Sequence, residues 1–474
     1  MQSTGSAQDV SVASALPVEL NYQLPSSLPS AKSFTIKVQP VNAQNFSAGN
    51  VIQIDIPCGR RGQYLDPSTT YIRYKMTYGV PGAGVAGTDV SRLVGSAYSP
   101  FIKQEVYGNN SVVLESINEV GVLTSMLLNC QLNDADKRGL SPAFGFAFND
   151  TLTATAIAPA NINVPYQASA TAGHRIWQTN STTAVEGLVF EYAIPLVGIL
   201  GSGTDKFLPI GALFGLRLEL TMDTMSRYVF ASTANILTSA TITEFEFVGT
   251  VIELAPEAQM LIEQANPEKI HIRTATYRQA SNSLPAGTTS GANDLLVGVR
   301  VSSLKSVYMV CSPANSNEGK FAGVNPNLDQ GTCLIIAGLS YPQRTLNPSG
   351  HTSECYLELS KSFGALNIAN FNGCISKQAY YTSSQNYGLC AAYSTNVANV
   401  IFNPSQFYMG IDTEVVARKQ NLLSGINVNA SPMFFRAQIG STALSGNVHT
   451  CNFFGHYDVI LELDCASKNI IAKF

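Results

Sequence analysis

One stretch near the middle of the chain limits what it can fold into. Phe245-Glu-Phe-Val-Gly-Thr-Val-Ile-Glu-Leu254 places apolar side chains on both faces of an extended segment, the pattern of a strand covered on two sides. Pro256 follows where a missing N–H costs nothing, Glu257 suits the positive end of a helix, and Ala258, Leu261, Ile262 and Ala265 recur at helical spacing. Asn266-Pro267 stops that short amphipathic helix, and Ile270-His-Ile-Arg-Thr-Ala-Thr-Tyr277 alternates as a strand does. A closing strand, a helical bridge and an opening strand therefore divide the chain into two similar lengths.

The 474 residues exceed the size at which a single core usually stops growing, so two domains are expected. Both halves read as strands separated by polar loops. In the first, Phe34–Val38, Asn50–Ile56, Thr70–Tyr78, Gly187–Ile194 and Leu213–Leu220 alternate, and Phe207-Leu-Pro-Ile210 reads as a tight packed corner. Ser116-Ile-Asn-Glu119 matches a capping box ahead of Val120, Leu123, Met126 and Leu127, which predicts one helix over about 117–131. In the second, Asp294–Val301, Ser306–Cys311, Cys355–Leu359, Met433–Ile439 and His456–Leu463 are the expected strands. No parallel βαβ rhythm is present, so the fold class is all-β with a few short helices.

Charged residues make up 13% of the chain, about half the usual share, while hydrophobic residues stand at an ordinary 45%. A surface so poor in charge is either clothed in Ser, Thr, Asn and Gln or covered by partners, and assembly into something larger is expected. The net charge of -4 is spread without Lys/Arg clusters, which argues against strong direct nucleic-acid binding. Nine cysteines without a C-x-x-C pair fit neither a zinc module nor a disulfide scaffold and read as buried free thiols. Residues 1–33, rich in Ser, Ala, Gln and Pro, read as a flexible, non-basic arm with no secretory signal.

Motifs that carry chemistry are weak throughout. Gly82-Ala-Gly84-Val-Ala-Gly87 satisfies G-x-G-x-x-G but opens no amphipathic helix and reads as a loop. His449, Cys451 and His456 lie close in sequence without a second pair of ligands, and Asp134 with Asp136 solvates a helix end. Trp177 is the only tryptophan for a sugar platform. No catalytic, cofactor-binding or metal residue is selected.

The runs Phe34–Asn42, Phe46–Gly59 and Tyr64–Arg73 together resemble the opening of double jelly-roll major capsid proteins, in the branch of polinton-like viruses, adintoviruses and virophages. Ser116–Asn129, Phe207–Ile210, Val251–Ala258, Phe407–Asp412, Leu423–Asn427 and His456–Leu461 extend the likeness over nearly the whole chain. The resemblance implies two consecutive eight-stranded jelly rolls: an arm at 1–33, a first roll at 34–255, a helical linker at 256–267 and a second roll at 268–474. It implies a non-enzymatic, homotrimeric, pseudo-hexagonal capsomer that tiles the icosahedral shell of a DNA virus. The protein would be made in the host cytoplasm, assembled there or in the nucleus, and located in the virion. Expected partners are further copies, penton and minor or cement capsid proteins, and an internal membrane where the virus has one. Loops 79–98, 141–184, 278–293 and 312–353 would supply the outer surface and trimer contacts. Arg60 and Arg61, in the loop after a strand, are the expected inter-subunit contact. Two other classes stand against this reading, a carbohydrate-binding or adhesive two-domain β-sandwich and a two-domain β-rich hydrolase.

Overall fold

A computed structural model describes residues 30–79, 90–109, 111–132, 136, 140, 143–145, 174–178, 188–201, 206–231, 238–288, 291–313, 319–321, 323–364, 380, 407–414, 425–440 and 448–474. Sixteen strands carry the architecture. The first eight are β1 (Ala31–Val38), β2 (Val51–Ile56), β3 (Gln63–Gly79), β4 (Phe101–Gly108), β5 (Val112–Asn118), β6 (Leu188–Pro195), β7 (Leu216–Met222) and β8 (Ser239–Leu254). The second eight are β9 (Lys269–Leu284), β10 (Gly291–Leu296), β11 (Leu304–Pro313), β12 (Gly331–Ile336), β13 (Leu339–Leu346), β14 (Met409–Asp412), β15 (Met433–Ile439) and β16 (His449–Asp464).

Pairing follows one rule twice. The first eight form antiparallel sheets ordered β1-β8-β3-β6 and β2-β7-β4-β5, and the second eight form β9-β16-β11-β14 and β10-β15-β12-β13. Adding eight to each strand number of the first pair gives the second. That interleaved order, first strand beside last and second beside seventh, is the jelly roll. The fold is therefore all-β, two consecutive eight-stranded jelly rolls. Extra pairings are small: Asn45–Phe46 lies on β8, Ile470–Lys473 on β16, and Val229–Ala231, Val90–Leu93 and His174–Gln178 form a separate small sheet.

Each roll is held by the apolar face that strand alternation creates. In β2 the even positions Ile52, Ile54 and Ile56 are buried, and in β7 Leu216, Leu218, Leu220 and Met222. Phe245 of β8 stacks on Tyr74 of β3 with centroids 5.9 Å apart, and Phe101 of β4 meets Phe245 edge-on at 6.1 Å, so the aromatic core joins both sheets of the first roll. Phe435 and Phe453 do the same in the second roll at 5.4 Å.

Several sequence expectations shift. The stretch Phe245–Leu254 is the C-terminal part of β8; Phe245, Phe247 and Val251 are buried on one face, while on the other Val248 is buried and Glu246, Thr250, Ile252 and Leu254 remain partly exposed. Antiparallel sandwich sheets keep one face toward water, and β8 gains its protection sideways from β1 and β3. The first helix, α1 (Val120–Gln131), has no capping box: Glu119 occupies the cap at φ 50° without a side-chain bond to the helix, and Ser116 donates to Glu105 instead. The linker helix α2 (Pro256–Ala265) buries Ala258, leaves Ile262 half-buried and leaves Leu261 66% exposed. Cys355–Leu359 belongs to a helix, α3 (Thr352–Ser362), because five alternating residues also satisfy helical spacing through Cys355, Tyr356 and Leu359. Asp294–Val301 is a strand only to Leu296, although Val297, Val299 and Val301 stay buried beyond it.

Two of the expected surface loops contain substantial strand. Within 278–293, β9 runs to Leu284 and β10 starts at Gly291, while 312–353 contains β12 and β13. β13 hides because its sequence is polar and includes Pro342, which an edge strand tolerates. The segment 79–98 contains Val90–Leu93, and 141–184 contains His174–Gln178. The G-x-G-x-x-G run and Asp134 lie outside the described residues.

Phe245→Ala removes the ring shared by the two sheets of the first roll. The expected loss is about 3–5 kcal/mol of unfolding free energy, read as a lowered urea midpoint with an unchanged slope.

Candidate functional site: the seam between the rolls

The seam between the rolls gathers several buried polar contacts. At one end of α1, Lys320 from the second half reaches into the first. Its Nζ lies 2.7 Å from Glu119 Oε2 and 2.5 Å from Asp223 Oδ2. Arg227 closes the set, with Nη2 3.0 Å from Glu119 Oε1 and Nη1 3.2 Å from Asp223 Oδ1. Two cations and two carboxylates thus alternate, each acid giving one oxygen to each base. Lys320 is 10% and Asp223 4% exposed while Arg227 stays 42% exposed, so the cluster is rooted in the seam and open to solvent on the Arg227 side. The left-handed Glu119 that starts α1 aims its carboxylate into it.

Deeper in the seam stands Glu115 of β5, 2% exposed. Its Oε1 accepts from Gln104 Nε2 at 2.9 Å, and its Oε2 accepts from the Ile199 N–H at 2.7 Å and from Thr276 Oγ1 at 2.5 Å. Thr276 is on β9, so a first-roll carboxylate is held by a second-roll hydroxyl. Tyr98 donates to Gln104 Oε1 at 2.5 Å and fixes the amide that serves Glu115. None of these three partners is a cation, and burial raises the carboxyl pKa above its ordinary value, with the three hydrogen bonds opposing that shift.

Smaller contacts complete the seam. Asn129 of α1 donates to the Tyr408 hydroxyl at 3.2 Å, and Asn109 donates to Asn469 at 2.6 Å. A side chain at Gly95 would strike the Phe321 ring, and one at Gly108 would strike Ile470, so glycine is what lets the two halves close. Beside the charged cluster a groove of about 650 Å³ opens between the rolls, walled by Asn118, Thr221, Gln279, Ser281, Thr450 and Asn452 among others.

Arg60 and Arg61 sit at the opposite end of β8 from its Ser239 start. Arg60 Nη2 is 3.3 Å from Glu253, and Arg61 grips Glu263 of α2 with two bonds, 2.9 and 2.6 Å. Arg60 ties the loop after β2 to β8 and Arg61 ties it to the linker, both within one chain, while both arginine side chains stay 67% exposed. The bond from Arg61 holds the Glu263 carboxyl below its ordinary pKa. His449, Cys451 and His456 all lie on β16 but do not converge: His456 stacks on Tyr277 at 4.8 Å, and Cys451 faces Cys311. Among the described residues no group of three or more His, Cys, Asp or Glu is arranged to hold a metal ion. Trp177 lies in the strand His174–Gln178 of the small sheet.

The seam residues carry little sequence signal. Glu115 was the readable one, since it shares a strand face with Ile117 where alternation calls for an apolar side chain. Nothing in the sequence around Lys320 announces it.

No known family model matches the chain, and no curated protein is similar to it in sequence. Solved structures are similar in fold along almost the full length. The major capsid protein of Faustovirus aligns with 95% of this chain and 93% of its own at a TM-score of 0.57 and 9% identity. The mavirus major capsid protein aligns over 100% and 95% at 0.51 and 12% identity. A chain of the Sputnik virophage aligns over 96% and 91% at 0.52 and 12% identity. The protein is a double jelly-roll protein, with the fold of these viral major capsid proteins.

Two outcomes test the seam. Lys320→Met leaves two buried acids to share Arg227, and an unfolding loss of about 3 kcal/mol is expected in urea titration. For Glu115 the raised folded pKa means that the neutral form is favoured on folding. Its contribution is therefore most favourable below the unfolded value near about 4.3 and is lost as pH rises through the folded pKa. Glu115→Gln should gain on the wild type as pH rises through that window, measured as the difference in thermal midpoints between pH 4 and pH 8. A constant difference would mean that the Glu115 carboxyl has the same pKa folded and unfolded, and a trend of opposite sign that its folded pKa is lowered.

Proposed function

We propose that the protein is a viral major capsid protein, not an enzyme, and that three copies form a pseudo-hexagonal capsomer that tiles an icosahedral shell of a DNA virus. The observation that carries this is the doubled strand order in one chain, closed along a buried seam. Two wedge-like rolls per subunit give six wedges about a threefold axis, and six similar wedges fill a hexagonal tile. A hinge between the rolls would spoil such a tile, and the buried Lys320 and Glu115 contacts oppose one. The full-length likeness in fold to capsid proteins supports the same reading.

On this proposal residues 34–255 and 268–474 are the two wedges and 256–267 the bridge. The arm at 1–33, apart from Ala31–Ser33 in β1, reaches toward neighbouring subunits or an internal membrane. Penton and minor or cement proteins fill the positions that a hexagonal tile cannot. The virion is the site of action, with synthesis in the host cytoplasm and assembly there or in the nucleus, and genome contact falls to other components. Arg60 and Arg61, tied down by one acid each yet two-thirds exposed, keep further N–H donors for a neighbouring copy.

Light scattering of the purified chain, with negative-stain images of the same peak, tests the assembly. The expected mass is about 150 kDa, three times the 50.6 kDa chain, with a hexagonal outline. A monomer at high concentration overturns the capsomer and turns attention to glycan binding. Arg60→Glu with Arg61→Glu should weaken assembly beyond the subunit while shifting the thermal midpoint little, because exposed pairs contribute about 0–1 kcal/mol.

A further inference from the structure

Cys311 and Cys451 are direct cross-strand partners in the ladder between β11 and β16, and their sulfurs are 3.3 Å apart. Both side chains are fully buried on the inner face of the second roll. They are free thiols here. A disulfide needs sulfurs at about 2.05 Å, so closure by little more than one ångström converts the contact into a bond.

We propose that Cys311 and Cys451 are a redox-convertible pair, free thiols in a reducing compartment and a disulfide after exchange with a small-molecule disulfide. The balance is complete: one protein thiolate attacks the small disulfide and releases one small thiol, and the second protein thiolate then displaces the other. Two protein S–H bonds and one small S–S bond are lost. One protein S–S bond and two small thiols are formed, with the protein oxidised, the small disulfide reduced and both protons carried off by the small thiols.

Burial sets the rate and the place determines the route. Desolvation pushes the Cys311 thiol well above its ordinary range, so Cys311 holds almost no thiolate while the roll is closed. The pair, however, lies only two rungs from the ends of both strands, with Ser312 opposite Thr450 and Pro313 opposite His449 beyond it. Loss of those terminal rungs, a local opening short of unfolding the roll, would admit the oxidant. The bond would join residues 140 apart in sequence, across the central pair of strands, and so restrict the unfolded chain strongly. Oxidation then acts as a lock on the second roll once the protein leaves a reducing environment, independent of whether the subunit builds a capsomer.

The test uses the full-length protein incubated with oxidised glutathione or with dithiothreitol, followed by thiol alkylation, non-reducing peptide mapping and thermal unfolding. The expected result is a peptide linked through Cys311 and Cys451, two fewer alkylated thiols, and a midpoint raised by about 5 °C or more that dithiothreitol reverses. Cys311→Ala and Cys451→Ala should each abolish the linked peptide and the shift. Should either variant fail to fold, the wild-type comparison decides alone. Absence of the linked peptide, glutathione adducts in its place, or a linked peptide with an unchanged midpoint overturns the proposal.

Discussion

Closure of each roll by its own last strand is the constraint on which the rest depends. β8 lies between β1 and β3, with Ala31 opposite Leu254, and β16 lies between β9 and β11, with Lys269 opposite Asp464. Each closing strand is 16 residues long and pairs with strands from the far end of its roll. Such non-local pairing costs loop entropy before it returns packing, so both rolls belong to a slow-folding topology. The same closure places Leu254 and Lys269 at corresponding ends of the two rolls, a gap the ten residues of α2 span. The bridge is short because the register of β1 on β8 and of β9 on β16 has already fixed both its ends.

Once closed, the rolls are held to each other by directional polar contacts at several points of the seam. Buried ion pairs are poor sources of net stability but strong selectors of geometry, because a displaced partner strands a charge away from water. Lys320 between Glu119 and Asp223 acts in that way at one point of the seam, and Thr276 on Glu115 at another. An apolar seam would let the rolls slide by small steps. Two directional anchors do not.

Strand content was legible because alternation is a local signal, and Met433–Ile439, Ser306–Cys311 and the junction from Phe245 to Tyr277 needed no distant information. The jelly-roll order followed from the family resemblance, since pairings such as Ala31 with Leu254 leave no trace in either strand. α3 was misread because Cys355, Tyr356 and Leu359 fit both periods over so short a window, and β13 because an edge strand need not be apolar. The cap at Glu119 was missed because tertiary charge, through Lys320 and Arg227, determined its conformation in place of the local capping box. Lys320 is 201 residues from Glu119, beyond the reach of any spacing rule.

The scarcity of charge takes on a specific meaning against this fold. Ion pairs of the outward sheet faces run across neighbouring strands: Arg73 of β3 to Glu191 of β6 and Glu246 of β8, Arg217 of β7 to Asp55 of β2, and Arg436 of β15 to Asp294 of β10. Glu462 of β16 receives both Lys269 and Lys473, and they hold its carboxyl down to about 2. Charges that pair within one subunit project little field beyond it, and salt screens what remains. On the proposed assembly, contacts between copies would rest chiefly on shape, apolar area and neutral hydrogen bonds, with the exposed Arg60 and Arg61 as the charged exception. Such contacts suit a repeated assembly: a long-range field would add its repulsion at each new neighbour, whereas a neutral face presents the same short-range surface to every copy.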